Sequence, residues 1–189
     1  MSRMAAWVLA GLAAATAAGA QEAPWVGEAR SVAASVPPKL LEVLQAEIAR
    51  SGPEGAIAEC RERAPQLARA ASEQSGWAIR RVSLRNRNPK AVPDAWERAA
   101  LEDFDRRAAA GEPPGKLEIA VSQLEDGKTV QRYMRALPVI DLCTQCHGAP
   151  DKMKSEVVAR LQALYPDDKG VGYRPGDIRG AITLKRAAP

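Results

Sequence analysis

Leu117-Glu118-Ile119-Ala120-Val121-Ser122-Gln123-Leu124 runs into Glu125-Asp126-Gly127-Lys128 and on into Val130 to Val139. Leu117, Ile119 and Val121 alternate with other residues at the two-residue period of a half-buried strand. Asp-Gly at the centre of the next four residues supplies the positive φ that a tight hairpin needs. Val130 to Val139, with Tyr133 in it, then reads as the antiparallel partner strand. An antiparallel hairpin at the middle of the chain sets the frame for everything on either side.

Upstream, Asp94 caps a helix from Ala95 to about Ala110, closed by Gly111 and Pro113-Pro114. Asn86-Arg87-Asn88-Pro89 is a loop. Trp77 to Arg85 alternates as Trp77, Ile79, Val82 and Leu84, with a slip in phase near Arg80-Arg81, and reads as a strand. Before it, a helix from Pro53 or Glu54 carries Ile57, Cys60, Ala64, Leu67 and Ala68 on one face and ends at Gly76. Pro65 inside it is expected to kink or split it. Ser51-Gly52-Pro53 separates it from an earlier helix, Lys39 to Arg50, which follows Val36-Pro37-Pro38. Downstream of the hairpin, Asp151 to Leu164 reads as a last helix, and a Gly-rich loop from Gly170 to Gly176 leads to a final strand, Ile178 to Leu184. Helices and antiparallel strands are mixed without repeated strand–helix–strand units, so the expected class is α+β in a single domain.

The composition agrees with that frame. The 189 residues are 46% hydrophobic and 26% charged, which excludes collagen, coiled coil and a fully disordered chain. A net charge of +4, spread along the chain, does not form the clustered basic face of a nucleic-acid binder. Arg3 followed by the apolar run Trp7 to Ala20, with Ala18-Gly19-Ala20 as a small-x-small site, reads as a signal peptide over 1–20, leaving a single domain over 21–189. The expected location is the periplasm. No Cys follows the cleavage site, and no later stretch is apolar enough to hold the chain in a membrane.

Three Cys and one His are the rarest chemistry in the chain, and three of the four fall within five consecutive positions: Cys143-Thr144-Gln145-Cys146-His147. Two thiols at C-x-x-C spacing can add to the two vinyl groups of one haem, and the adjacent His then ligates the iron. The pattern predicts one covalent haem c held by Cys143, Cys146 and His147. A redox dithiol fits less well, because the βαβ setting of thioredoxin-like sites is missing. Zinc held by Cys60, Cys143, Cys146 and His147 would need adjacent residues to converge on one small ion. With no second His, the other axial position falls to Met134, Met153, Cys60, a lysine, a tyrosine or water. Cys60 is the odd thiol, and an unpaired Cys in an exported protein needs an explanation; burial as a small hydrophobe is the bland one.

The chain resembles the PAS-like c-type haem proteins filed as a domain of unknown function, some of them fused to histidine kinases. The likeness is carried by Ala56-Ile57, Cys60 and Ala64-Pro65; by Ile79 to Pro89; by Pro93-Asp94 and Trp96-Glu97; by Cys143, Cys146 and His147-Gly148; by Tyr165-Pro166 and Asp168; and by Gly172-Tyr173 and Gly176 to Ala181. It implies a PAS-like antiparallel sheet with flanking helices and one attached haem. It also implies iron held between His147 and Cys60. Arg80, Arg81, Arg85 and Arg87 are candidates to meet the haem propionates.

These readings make the chain a non-enzymatic periplasmic redox or gas sensor, with a monohaem electron carrier as the alternative. A peroxidase is disfavoured because no His remains for distal acid–base work. CO or NO in the reduced state, and an unidentified protein redox or signalling partner, are the expected ligands and partners; nucleic acid is not.

Overall fold

The computed structural model describes residues 22–189; the signal-peptide reading at 1–20 lies outside them. The described chain runs α1 (Pro24–Ser75), β1 (Ala78–Val82), α2 (Ala95–Ala109), β2 (Glu118–Glu125), β3 (Lys128–Pro138), α3 (Thr144–His147), α4 (Ser155–Leu164) and β4 (Ile178–Ala187), with short 3₁₀ turns between several of them. The strands form one antiparallel sheet in the order β1-β4-β3-β2. The α+β reading is borne out.

The central hairpin forms where the alternation places it. Glu125 pairs with Lys128, and Asp126 and Gly127 take φ of 50° and 76°, both positive as the tight turn requires. β4 returns between β3 and β1, with Tyr133 opposite Leu184 and Val82 opposite Ala181. α2 begins at the expected cap: Asp94 accepts from Glu97 N at 2.9 Å while Glu97 accepts from Asp94 N at 2.9 Å. It packs Leu101 and Phe104 against Val82, Leu117, Met134, Ile178 and Ala181 on one face of the sheet. Trp96 packs there too, with Arg132 stacked over its ring at 4.4 Å, so it is an anchor of α2.

The other face is covered by α1, which departs from expectation in two ways. It begins at Pro24 rather than Lys39, and runs through Pro37, Pro38 and Pro65, so Pro65 does not split it. Burial explains the early start: Ala29 and Ala33 are fully covered and pack with Trp77, Ile79, Tyr133, Ile182 and Leu184. That packing offsets the hydrogen bonds two prolines forgo. The expected break at Ser51-Gly52-Pro53 is present as a fold-back. Gly52 takes φ 71°, ψ 171°, which favours glycine. A straight helix of this length would span about 78 Å, yet Trp25 and Trp77 lie 6.1 Å apart by ring centroids, next to the other end of the helix. α1 is therefore a helical hairpin laid on the sheet. The last helix is shorter than expected, since Pro150–Lys152 forms a separate 3₁₀ turn. Among the described residues no helix is long and apolar enough to cross a membrane.

Candidate functional site

β3 ends at Pro138, and the chain turns through a 3₁₀ turn, Asp141–Cys143, directly into α3. Cys143 N donates to Ile140 O at 2.9 Å, and Thr144 Oγ1 donates to Asp141 O at 2.7 Å. The single helical turn puts Cys143 and Cys146, three residues apart, on one side. All three cysteines are free thiols.

The loop after α4 fixes the imidazole. His147 O accepts from Tyr173 N at 2.9 Å, and Gly148 O accepts from Gly172 N at 2.7 Å. His147 Nδ1 lies 2.6 Å from Gly170 O. A carbonyl can only accept, so Nδ1 carries the proton and Nε2 presents its lone pair outward. Arg179 Nε, 3.1 Å from the same Nδ1, is then an electrostatic neighbour and not a donor to it. Burial, then Arg179, Arg87 and Arg81, holds the His147 pKa well below the usual range. The imidazole is neutral at pH 7, the form a metal ligand needs. The Tyr173 ring meets the imidazole edge-on, with centroids 6.5 Å apart.

Cys60 reaches this region from the second limb of α1. Pro53, Ile57 and Cys60 recur along one helix face. Ile57 packs with Val157, Leu161, Met153 and Cys146, and the Cys146 thiol lies 3.9 Å from Pro53 O. Cys60 is among the titratable groups near Cys146. Burial pushes the Cys60 thiol up, while Arg81 and Arg87 pull it down and lose. Burial also pushes Cys146 up to about 11. Cys143, Cys146, His147 and Cys60 thus share one neighbourhood. The rival methionines part company there. Met134 is fully buried on the α2 face of the sheet, away from α1, and serves as core. Met153 packs beside Cys146.

The four arginines of the β1 region have separate jobs. Arg80 pairs with the buried Glu97 carboxylate. Arg85 donates to Val171 O and stacks over Tyr173 at 4.3 Å. Arg87 clamps the site: its Nε donates to Asp168 Oδ2 at 2.8 Å, and its Nη2 donates to Cys146 O and, at 3.3 Å, to Gly170 O. Arg81 makes no hydrogen bond or ion pair among the described residues. Its titratable neighbours are Cys143, Tyr173, Cys60 and Arg87. It is exposed.

Sequence reasoning gave no role to Arg179, Gly170 or Asp168. Arg179 is 6% exposed and donates to Ser83 Oγ at 3.0 Å and Arg85 O at 3.2 Å. A cavity of about 320 Å³ lies between α2 and the start of β4; Tyr173 and Arg85 line it, and none of the cysteines or His147 does.

The fold is an α+β domain in which a turn carrying Cys143, Cys146 and His147 packs beside the α1 limb that carries Cys60. The chain belongs to the Tll0287-like family, whose model matches residues 15–186. Among solved structures it is similar to the cyanobacterial heme-protein Tll0287, with a TM-score of 0.66 and 23% identity over 87% of this chain and 96% of that one. At that identity the likeness shows a shared fold. No curated protein matches the chain.

Proposed function

We propose that this chain is a periplasmic c-type haem protein that acts as a redox or gas sensor. Cys143 and Cys146 hold one haem c as thioethers, and His147 and Cys60 ligate its iron. The observation that carries this reading is the convergence of a C-x-x-C-H turn, a neutral His147 with Nε2 free, and the surplus thiol Cys60. The family membership, and the similar solved structure being that of a heme-protein, support the haem.

The donor set fits haem better than a bare ion. Among the described residues no three His, Cys, Asp or Glu side chains lie close enough together to hold a metal ion. Two axial donors suffice when a porphyrin brings the other four. The surrounding charge fits as well, since Arg81, Arg87 and Arg179 outnumber the nearby carboxylates. Haem, when bound, supplies an iron that changes by one electron. Gly170 O fixes the His147 tautomer, Arg87 and Asp168 tie the Cys146 backbone to the 168–170 loop, and α1 would supply Cys60. The domain has no second imidazole for acid–base chemistry, and we read it as a binding domain rather than an enzyme. Export by residues 1–20 would place it where such thioethers form.

Covalent attachment is tested on purified protein by acidic organic extraction followed by a pyridine haemochrome spectrum. The colour should stay with the polypeptide, with the band position of a thioether-linked haem. Cys143→Ser together with Cys146→Ser should give colourless protein. Release of all haem into the solvent would overturn the reading.

A further inference from the structure

The cavity between α2 and the start of β4 has no part in the Cys-His site, yet its wall has a definite chemistry. Its apolar part is Leu84, Leu101, Ala108 and Ile178. Its volume of about 320 Å³ lies at the small end of ligand sites, which run from about 300 to 1,000 Å³ and combine an apolar lining with a few polar groups.

The polar groups are carboxylates without cationic partners. Leu101, Asp105 and Ala108 recur at i, i+4 and i+7, on one face of α2. The arginines of that helix are spent elsewhere: Arg106 pairs with Asp103 at 3.0 Å, and Arg107 pairs with Glu112 at 2.6 Å. Asp105 is left with no ion pair or side-chain hydrogen bond among the described residues. Asp177 lines the same cavity from the turn before β4. Its Oδ2 accepts from Arg174 N at 2.7 Å, and it too has no ion pair among the described residues. Both aspartates are exposed, which puts them at the mouth. Partial burial, then Asp177, holds the Asp105 carboxyl above its usual range; Arg85 pulls the other way and loses.

Arg85 is the one cation in the lining. It donates to Val171 O and stacks over Tyr173 at 4.3 Å, and it bonds neither aspartate. Arg179 stacks on Tyr173 as well, and is held by Ser83 Oγ and Arg85 O. With both carboxyls ionised, the lining carries two negative charges against one positive.

We infer that this cavity binds a small organic monocation, with its ammonium group at Asp105 and Asp177 and its apolar body against Leu84, Leu101, Ala108 and Ile178. One positive charge cancels the excess of the lining. An ammonium also brings the donors that two acceptor-only carboxylates lack. A neutral ligand would leave the two like charges facing each other, and an anion would add a third.

The test is isothermal titration calorimetry on the full mature holoprotein. The probes are butylammonium, hexylammonium and 2-phenylethylammonium, each set against the alcohol and the carboxylate of the same skeleton. At least one ammonium should bind, about tenfold or more tighter than its alcohol. Asp105→Asn keeps the shape and removes the charge, so it should weaken that ammonium about tenfold and leave the alcohol unchanged. Asp105 is exposed, so this variant keeps the fold. Ala108→Leu leaves both aspartates in place and should abolish binding by filling the apolar end; a thermal melt checks that it is folded. The inference is overturned if no ammonium probe binds at millimolar concentration. It is equally overturned by an alcohol or carboxylate that binds as well as its ammonium, or by unchanged ammonium affinity in Asp105→Asn or in folded Ala108→Leu. None of these outcomes touches the haem reading, whose cysteines and His147 do not line the cavity.

Discussion

Cys60 is where the functional reading is most exposed to test. The residue lies on the α1 limb whose Ile57 and Pro53 meet Cys146 at the junction with α3. In Cys60→Ala the thioether cysteines and His147 are untouched, so haem should remain attached. The oxidised protein should pass from a low-spin to a high-spin or water-ligated spectrum, and its reduction potential should rise, because an anionic thiolate favours ferric over ferrous iron. Absorption and EPR spectra of the oxidised variant, with a potentiometric titration, check this; an unchanged pair of results would return the axial position to another donor. At this scale the sequence was informative where chemistry is rare. One His, a C-x-x-C-H spacing and an odd thiol marked out Cys143, Cys146, His147 and Cys60 as the candidate site. It was silent on Arg179 and Gly170, because their approach to His147 depends on a loop and a strand that return from 23 and 32 residues away. No local pattern encodes such a closure.

At the scale of elements, the site depends on α1 staying docked, and one carboxylate ties it down. Glu118 on β2 accepts from Arg30 Nε at 2.8 Å and from the Tyr133 hydroxyl at 2.6 Å, joining the first limb of α1 to two strands. Burial raises the Glu118 pKa, but the hydrogen bonds from Arg30 and Tyr133 outweigh it and hold the carboxyl below its usual range. A depressed folded pKa stabilises the native state above the unfolded value of about 4.3 and loses that contribution as pH falls through the folded one. Glu118→Gln should therefore cost about 1 to 2 kcal/mol near neutrality, discounted for the exposure of Arg30. Urea midpoints of variant and wild type should converge below about pH 4. A gap that persists in acid would mean the ionised carboxylate is not the tie. The elements themselves were legible in proportion to their periodicity. The hairpin, α2 and β4 follow from alternation, a capping box and an Asp-Gly turn. The start of α1, Pro24 to Pro38, did not, because Pro37-Pro38 reads locally as a stop. Only the burial of Ala29 and Ala33 against the sheet keeps the helix running through it.

At the scale of the whole molecule, the proposed ligation would tie the state of one sulfur to the position of a helix. Cys60 sits on the second limb of α1, five residues before Pro65, which removes a backbone hydrogen bond from that limb. The limb is anchored at its far end, where Ser72 Oγ accepts from Ile79 N and Ala71 packs on the sheet. Near Cys60 it is held by Ile57 against α4 and by whatever holds the sulfur. A thiol near neutrality is normally protonated, with a pKa of about 8.5, and burial at Cys60 pushes in the same direction. Reduction weakens the claim on the thiolate, so the sulfur should loosen and the cleft should open to a small neutral gas. CO should therefore bind the dithionite-reduced protein and leave the oxidised protein unchanged, with faster uptake in Cys60→Ala than in wild type. Hydrogen exchange should show amides around 57–66 opening more readily after reduction, while those of β3 and β4 keep their protection. A sensor needs that movement, because a ligand change that no element feels cannot be passed on. If reduced wild-type protein ignores CO while reduced Cys60→Ala takes it up at once, the sulfur stays bound through the redox cycle. A centre whose ligands do not change between oxidation states is built to pass electrons, and the domain would then be an electron carrier.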